Sequence, residues 1–367
     1  MTGTATYAET AETNSQADQG ESQSAPDSEL RARYIDLLRE TLTMSLWNAA
    51  DGNQMEAMFP AHGAALREDG RDWPKLAHTM TGVKRMKNLQ FCVEDVIARG
   101  VPGDFIETGV WRGGSCIFMR GILAAYGERD RKVWVADSFE GLPPPDAEKY
   151  PVDAAGIAFH LYPQLAIPME EVQANFRSYG LLDDQVVMLK GFFKDTLPHA
   201  EIDKLAVLRL DGDMYESTMD ALTNLYSKLS DGGYLIVDDY AIPACSEAIN
   251  DFREAYGITD PMEVIDWTGV YWQKGSAKKR ALEPDSGDSE TALTDRYTKL
   301  FMDHERIAQE NRLHALTISR LQAQNLATAN ELAAVRSSRS LRYVAKVRGS
   351  LASANRIKSR LIRKNQP

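Results

Sequence analysis

The sequence predicts an α/β fold, a mostly parallel sheet with helices on both faces, and three observations carry that expectation. Short apolar runs recur from residue 103 onward, each ending in turn-forming or charged residues: DFIETGV, KVWVADSF, QVVMLKGF, LAVLRLDGD, GGYLIVDDY and EVIDWTGVYWQK. Stretches with helical spacing separate them, at about 115–126, 170–179, 216–229 and 245–256. Strands that alternate with helices form βαβ units, whose sheet is buried on both sides. The last run has alternating character and no helix after it, which fits an antiparallel edge strand.

Composition narrows the class. With 43% hydrophobic residues in a chain of 367, there is ample material for a large core. No window approaches 18 uninterrupted apolar residues, which argues against a membrane-spanning helix. The first residues lack the basic and apolar regions of a secretory leader. Three cysteines, Cys92, Cys116 and Cys245, are too few and too far apart for a disulfide framework or a cysteine zinc site. A reduced, cytoplasmic protein is expected.

Taken in order, residues 1–28 are polar and nearly free of large apolar side chains, so they are expected to be disordered. A helix follows, with Leu30, Tyr34, Leu37, Leu38, Thr41 and Leu42 at three- and four-residue steps. A second helix is expected over 79–98, with Val83, Met86, Leu89, Val93, Val96 and Ile97 on one side.

The first strand, Asp104 to Gly109, runs into Val110-Trp111-Arg112-Gly113-Gly114-Ser115 and a helix. Glycines there permit a sharp turn and close approach of a ligand, in the first crevice of an open sheet. The spacing is neither GxGxxG nor that of a phosphate loop, and a simple tight turn is the alternative. The second strand ends in Asp137, placed to accept hydrogen bonds from both hydroxyls of a ribose. S-adenosylmethionine fits this pair, because it has a ribose but no pyrophosphate to cradle. Otherwise Asp137 only caps its turn.

A proline-rich segment over 141–168, with Tyr150, His160 and Tyr162, is long enough to be a lid or binding loop. Two later strands end in Asp211-Gly212-Asp213 and Asp238-Asp239. Parallel neighbours bring such tips about 5 Å apart. Clustered carboxylates repel one another unless neutralised, and a hard divalent cation such as Mg²⁺ does that. The alternative, that each Asp caps the following helix, explains one of them more readily than four.

The strings ETGVWRGG, VADSFEGLP, KDTLP, DGDMYEST and GGYLIVDDY together resemble the macrocin O-methyltransferase family, over about 30–274. The resemblance implies a Rossmann-like class I methyltransferase domain with a seven-stranded sheet in the order 3-2-1-4-5-7-6. It implies an S-adenosylmethionine- and Mg²⁺-dependent enzyme that methylates a sugar hydroxyl of a glycan or glycosylated natural product. Glu107 and Gly109, with Trp111 and Ser115 nearby, would line the methionine end of the cofactor. Asp137 and Ser138 would hold the ribose, Gly191 and Phe192 would border the adenine, and Thr79-Met80 would close over it. Asp211, Asp238 and Asp239 would be the metal ligands. Asp211 would also serve as the base, since a sugar hydroxyl is a poor nucleophile until a metal lowers its pKa.

Two rival functions keep the fold. A catechol-type enzyme would methylate a phenol, but related catechol enzymes look to place a lysine where this chain has Met214. A non-catalytic S-adenosylmethionine-binding scaffold would not need its carboxylates. His160 is a candidate proton acceptor or substrate contact. Tyr215, Tyr240 and Trp267 either stack on a sugar face or pack beside the sheet.

The methyltransferase domain is expected over 29–275, a linker over 276–294, a weak coiled coil over 295–335 and a basic tail over 336–367. The formal net charge is -11, yet 336–364 holds ten basic residues and no acidic one. Leu341, Val344, Val347 and Leu351 give that tail an apolar stripe suited to an anionic membrane surface. A solubilising tail is the plainer reading, and nucleic acid is disfavoured by the acidic body. A homo-oligomer is expected. The Ser338-Arg339-Ser340-Leu341-Arg342 stretch resembles a motif appended to enzymes of surface-polysaccharide assembly, which favours a cell-surface glycan over a secreted antibiotic as acceptor.

Overall fold

Hydrophobic side chains that alternate along each strand separate into two cores, one on each face of a single sheet. The structure, a computed structural model, describes residues 18–47 and 64–277, with side chains from Asp27 and Ala65. Helices are α1 (Asp18–Leu42), α2 (Ala64–Asp69), α3 (Val83–Ala98), α4 (Gly114–Tyr126), α5 (Pro151–Ala155), α6 (Met169–Ser178), α7 (Phe193–Thr196), α8 (Tyr215–Leu225) and α9 (Pro243–Ala255). Strands are β1 (Asp104–Thr108), β2 (Val133–Asp137), β3 (Val186–Lys190), β4 (Leu205–Leu210), β5 (Leu229–Val237), β6 (Glu263–Val264) and β7 (Val270–Gln273). Their order is β3-β2-β1-β4-β5-β7-β6, parallel through β5, with β7 antiparallel to both neighbours.

Successive residues of a strand point to opposite faces. Phe105 and Val207 therefore join Ile35, Leu38, Met86, Leu89 and Ile117 in one core. Ile106 and Leu208 join Leu222, Ile249, Phe252 and Trp272 in the other. Cys92, Cys116 and Cys245 are all buried and free. No helix among the described residues is long and apolar enough to cross a membrane.

Two expectations change. α1 begins at Asp18, inside the segment expected to be disordered. Once the turns at Ile35, Leu38 and Leu42 are packed, extending a helix outward adds one hydrogen bond per residue fixed. Those three residues form its buried stripe, while Leu30 and Leu37 are exposed. The final run is not one edge strand but the hairpin β6–β7. Asp266 breaks it by accepting hydrogen bonds from the backbone N–H groups of Thr268 (3.0 Å) and Gly269 (2.7 Å). β6 therefore takes the edge, and β7 lies inside. The expected linker beyond Ala277, the coiled coil and the basic tail fall outside the described residues.

Candidate active site

Five parallel strands present their C-terminal tips along one edge of the sheet, where open α/β sheets hold their ligands. A cavity of about 250 Å³ lies there. Thr79, Met80, Glu107, Gly109, Trp111, Ser115, Asp137, Ser138, Phe192, Asp211, Asp238 and Asp239 all line it. Gly191 does not; its N–H donates to the Asp137 carbonyl (2.9 Å), which sets Phe192 at the wall.

The turn after β1 depends on its glycines. Gly109 has φ +89°, and a Cβ on it would stand 1.7 Å from the Asp211 carbonyl oxygen. A Cβ on Gly114 would meet the His78 carbonyl oxygen at 2.4 Å. The Gly114 N–H donates to that same carbonyl (2.9 Å), which draws the 78–81 segment over the turn. Thr79 and Met80 reach the cavity by this contact.

Asp137 has both carboxylate oxygens engaged, one by the backbone N–H of Val110 (2.7 Å) and the other by that of Phe139 (2.8 Å). It therefore caps its turn. The Ser138 hydroxyl also donates to Oδ1 (3.4 Å), so a ligand hydroxyl has more room at Oδ2. Desolvation pushes its pKa up, and the two N–H groups oppose the shift.

Beyond β4 and β5, carboxylate oxygens of Asp211, Asp238 and Asp239 lie within 4.8 Å of one another. Asp213, at φ +60°, lends its N–H to Asp239 Oδ2 (3.2 Å) and also lines the cavity. Two arginines that the motif spacing did not single out enter this cluster. Arg209, 1% exposed, donates to Glu107, to Asp211 (2.7 Å) and to Asp238. Arg85 from α3 donates to the other oxygen of Asp238 and to Asp266 (3.0 Å). The available signal for Arg209 was a charge inside an apolar strand, LAVLRLDGD. For Arg85 there was none, since helical spacing places a cation on a buried face only after the helix has docked.

The two guanidiniums do not balance Glu107, Asp211, Asp213, Asp238, Asp239 and Asp266. Desolvation pushes Asp211 up to about 6, helped by Asp238 and opposed by Arg209. Asp213 rises to about 8 through desolvation and then repulsion from Asp211 and Asp238. Asp239 is raised as well, by desolvation and Asp213. Desolvation carries Glu107 to about 7 against the pull of Arg209. Surplus negative charge on hard oxygen donors is the condition that a divalent cation such as Mg²⁺ relieves, so the donor set fits one.

The 141–168 segment forms the remaining wall through Leu142, Pro143, Phe159 and Leu165. It is anchored rather than loose. Buried Asp153 on α5 accepts the first N–H groups of α8, from Tyr215 (2.6 Å) and Glu216 (3.1 Å), and Trp111 Nε1 donates to the Gln164 carbonyl (2.8 Å). Phe159 stacks near Trp73, another wall residue that was not foreseen. His160 does not line the cavity. Trp267 does, whereas Tyr215 and Tyr240 donate instead to Asp251 and Asn250 (both 2.9 Å).

Residues 31–274 match the profile of the macrocin-O-methyltransferase (TylF) family. The chain is 54% identical over 254 residues to the 8-demethyl-8-(2,3-dimethoxy-alpha-L-rhamnosyl)-tetracenomycin-C 4'-O-methyltransferase of Streptomyces olivaceus, covering 69% of this chain and 97% of that one. It is 51% identical to the demethyldecarbamoylnovobiocin O-methyltransferase of Streptomyces niveus, covering 66% and 93%. The solved structure of the O-methyltransferase NovP superposes with a TM-score of 0.63 at 52% identity, covering 66% of this chain and 99% of that one.

Proposed function

The chain belongs to the macrocin-O-methyltransferase family of S-adenosylmethionine-dependent enzymes, and from that premise we propose that it methylates a sugar hydroxyl on a natural-product glycoside, with Mg²⁺ held by Asp211, Asp238 and Asp239. The observation that carries the reading is the three-carboxylate cluster in the same cavity as the Gly109 turn and Asp137. The Streptomyces olivaceus relative acts on a rhamnosyl-bearing tetracenomycin, which favours a glycosylated natural product over a cell-surface glycan. Membrane docking by the tail and homo-oligomer formation rest on composition and spacing, and carry no part of the proposal.

Methyl transfer from a sulfonium is an in-line displacement, so the protein's main work is alignment. Glu107, Gly109, Trp111 and Ser115 form the wall for the methionine end. Asp137 and Ser138 take the ribose, and Phe192 borders the adenine. Bound Mg²⁺ would supply Lewis acidity that lowers the pKa of an acceptor hydroxyl and orients it. Asp211 receives the hydroxyl proton as the oxygen–carbon bond forms and the carbon–sulfur bond breaks.

Incubation with S-adenosylmethionine, Mg²⁺ and a panel of rhamnosylated polyketides beside free catechol tests the acceptor. One methyl group on the sugar is expected. Methylation of catechol alone would move the assignment to the phenolic class.

Asp137→Ala removes a ribose acceptor, at about 1–3 kcal/mol, so S-adenosylhomocysteine affinity should fall by one to two orders of magnitude. The variant also strands the N–H groups of Val110 and Phe139, so its melting temperature should drop. A lower melting temperature with unchanged affinity by calorimetry would leave Asp137 as a turn cap only.

The raised carboxylates predict a pH signature. Their folded pKa values, about 6 to 8 for Asp211, Glu107 and Asp213, exceed those of an unfolded chain. Their stabilisation is thus fully present only below the unfolded pKa, near 4, and is lost as pH rises through the folded values. Metal-free protein should melt lower at about pH 8.5 than at about pH 5.5, and Mg²⁺ should remove much of that difference. Identical melting curves with and without Mg²⁺ at the higher pH would contradict the metal assignment.

A further inference from the structure

Arg209 lies inside an otherwise apolar central strand, where a guanidinium is costly unless its donors are met. Four of its five N–H donors are met, by groups from four separate places in the fold. Nη1 donates to Glu107 at the tip of β1 and to Asp211 beyond β4 (2.7 Å). Nη2 donates to Asp238 beyond β5 and to Thr81 Oγ1 (2.9 Å) in the segment leading into α3. The Thr81 N–H in turn donates to Thr79 Oγ1 (3.0 Å). Glu107, Thr79 and Thr81 belong to the cofactor side of the cavity, while Asp211 and Asp238 belong to the acidic cluster. One planar group therefore sets the spacing between the two sides.

We infer that Arg209 is a positioning residue shared by both subsites: its guanidinium holds Glu107 and the 79–81 segment in place for the cofactor, and Asp211 and Asp238 in place for the metal. The inference rests on the methyl-transfer reading of the cavity. It goes further in tying two binding events to one side chain that touches neither ligand's reacting atoms. A merely structural arginine would stabilise the strand and leave the affinities of the folded protein alone. Lysine keeps the charge but offers its donors from one point, so it cannot span the four acceptors in a plane.

The test is calorimetric titration of the full chain with S-adenosylhomocysteine in the absence of metal, and separately with Mn²⁺ alone. Asp137→Ala and Asp239→Asn serve as one-sided controls, each expected to weaken only its own ligand. Arg209→Lys should weaken both by about tenfold or more, the range found when a partner that orients metal ligands is lost. Thr81→Val removes one acceptor while keeping side-chain shape, and should weaken both by a smaller factor. If Arg209→Lys does not fold, Thr81→Val decides alone. Retention of either affinity within about twofold in a folded Arg209→Lys chain, or of both in Thr81→Val, overturns the shared role. Wild-type protein that binds neither probe overturns the methyl-transfer reading and the inference with it. Wild-type binding with unaffected variants overturns the inference alone.

Discussion

Asp239→Asn is expected to slow methyl transfer by about a hundred- to ten-thousandfold, the equivalent of the several kcal/mol that a Lewis-acid metal contributes to a transition state. The same substitution should raise the melting temperature of the metal-free protein. The two effects have one cause. Asp239 is buried beside Asp211, Asp213 and Asp238, and its pKa is raised by desolvation and by Asp213. An amide removes that repulsion while its oxygen can still accept the Asp213 N–H. EDTA should match the activity loss in wild-type enzyme, and added Mg²⁺ should reverse it. Unimpaired turnover in Asp239→Asn, or in excess chelator, would end the metal assignment. Asp238→Ala is a poorer probe, because Asp238 answers both Arg85 and Arg209. Removing it strands two buried guanidiniums, and breaking a buried pair costs about 3–5 kcal/mol. Its activity loss would report unfolding as much as metal loss.

Gly109→Ala is expected to destabilise the fold by about 4 kcal/mol or more, the exceptional end of single substitutions. The left-handed φ accounts for about 1–2 kcal/mol in an L-residue. The larger part is steric, since the new methyl would sit 1.7 Å from the Asp211 carbonyl oxygen and the tips of β1 and β4 must part. Gly100→Ala isolates the backbone term: its φ is +63°, and nothing lies within 4 Å of the added Cβ. A urea midpoint for Gly109→Ala close to that of Gly100→Ala would refute the close approach of the two strand tips. If the variant folds, both cofactor and metal binding should suffer, because Gly109 lines one subsite and Asp211 belongs to the other.

Much of the site was legible because the relevant residues sit at strand tips. In a parallel sheet every strand tip points to the same edge, so carboxylates read at the ends of separate runs must converge. Asp137, Asp211, Asp238 and Asp239 were placed on this ground, and the cavity brings them together. The hairpin β6–β7 was less legible, since its second strand and its turn share one apolar run. The lid's anchorage was not legible at all. Asp153 reads as an ordinary loop carboxylate until α5 sets it against the start of α8.

What the sequence by itself determined is the order of strands and helices, the two-sided burial of the sheet, and the chemistry gathered along its C-terminal edge. Local spacing decides these, because strand and helix periods and turn residues act within a few positions. Only the tertiary structure decided which of those carboxylates are answered and which are left in excess. Arg85 reaches Asp238 across 153 positions of chain, and Arg209 reaches Glu107 across 102. Coulomb energies and desolvation depend on distance through space, and no local pattern carries that distance. The balance of charge that suits the cavity to a cation therefore exists only once β1, β4, β5 and α3 have been packed against one another.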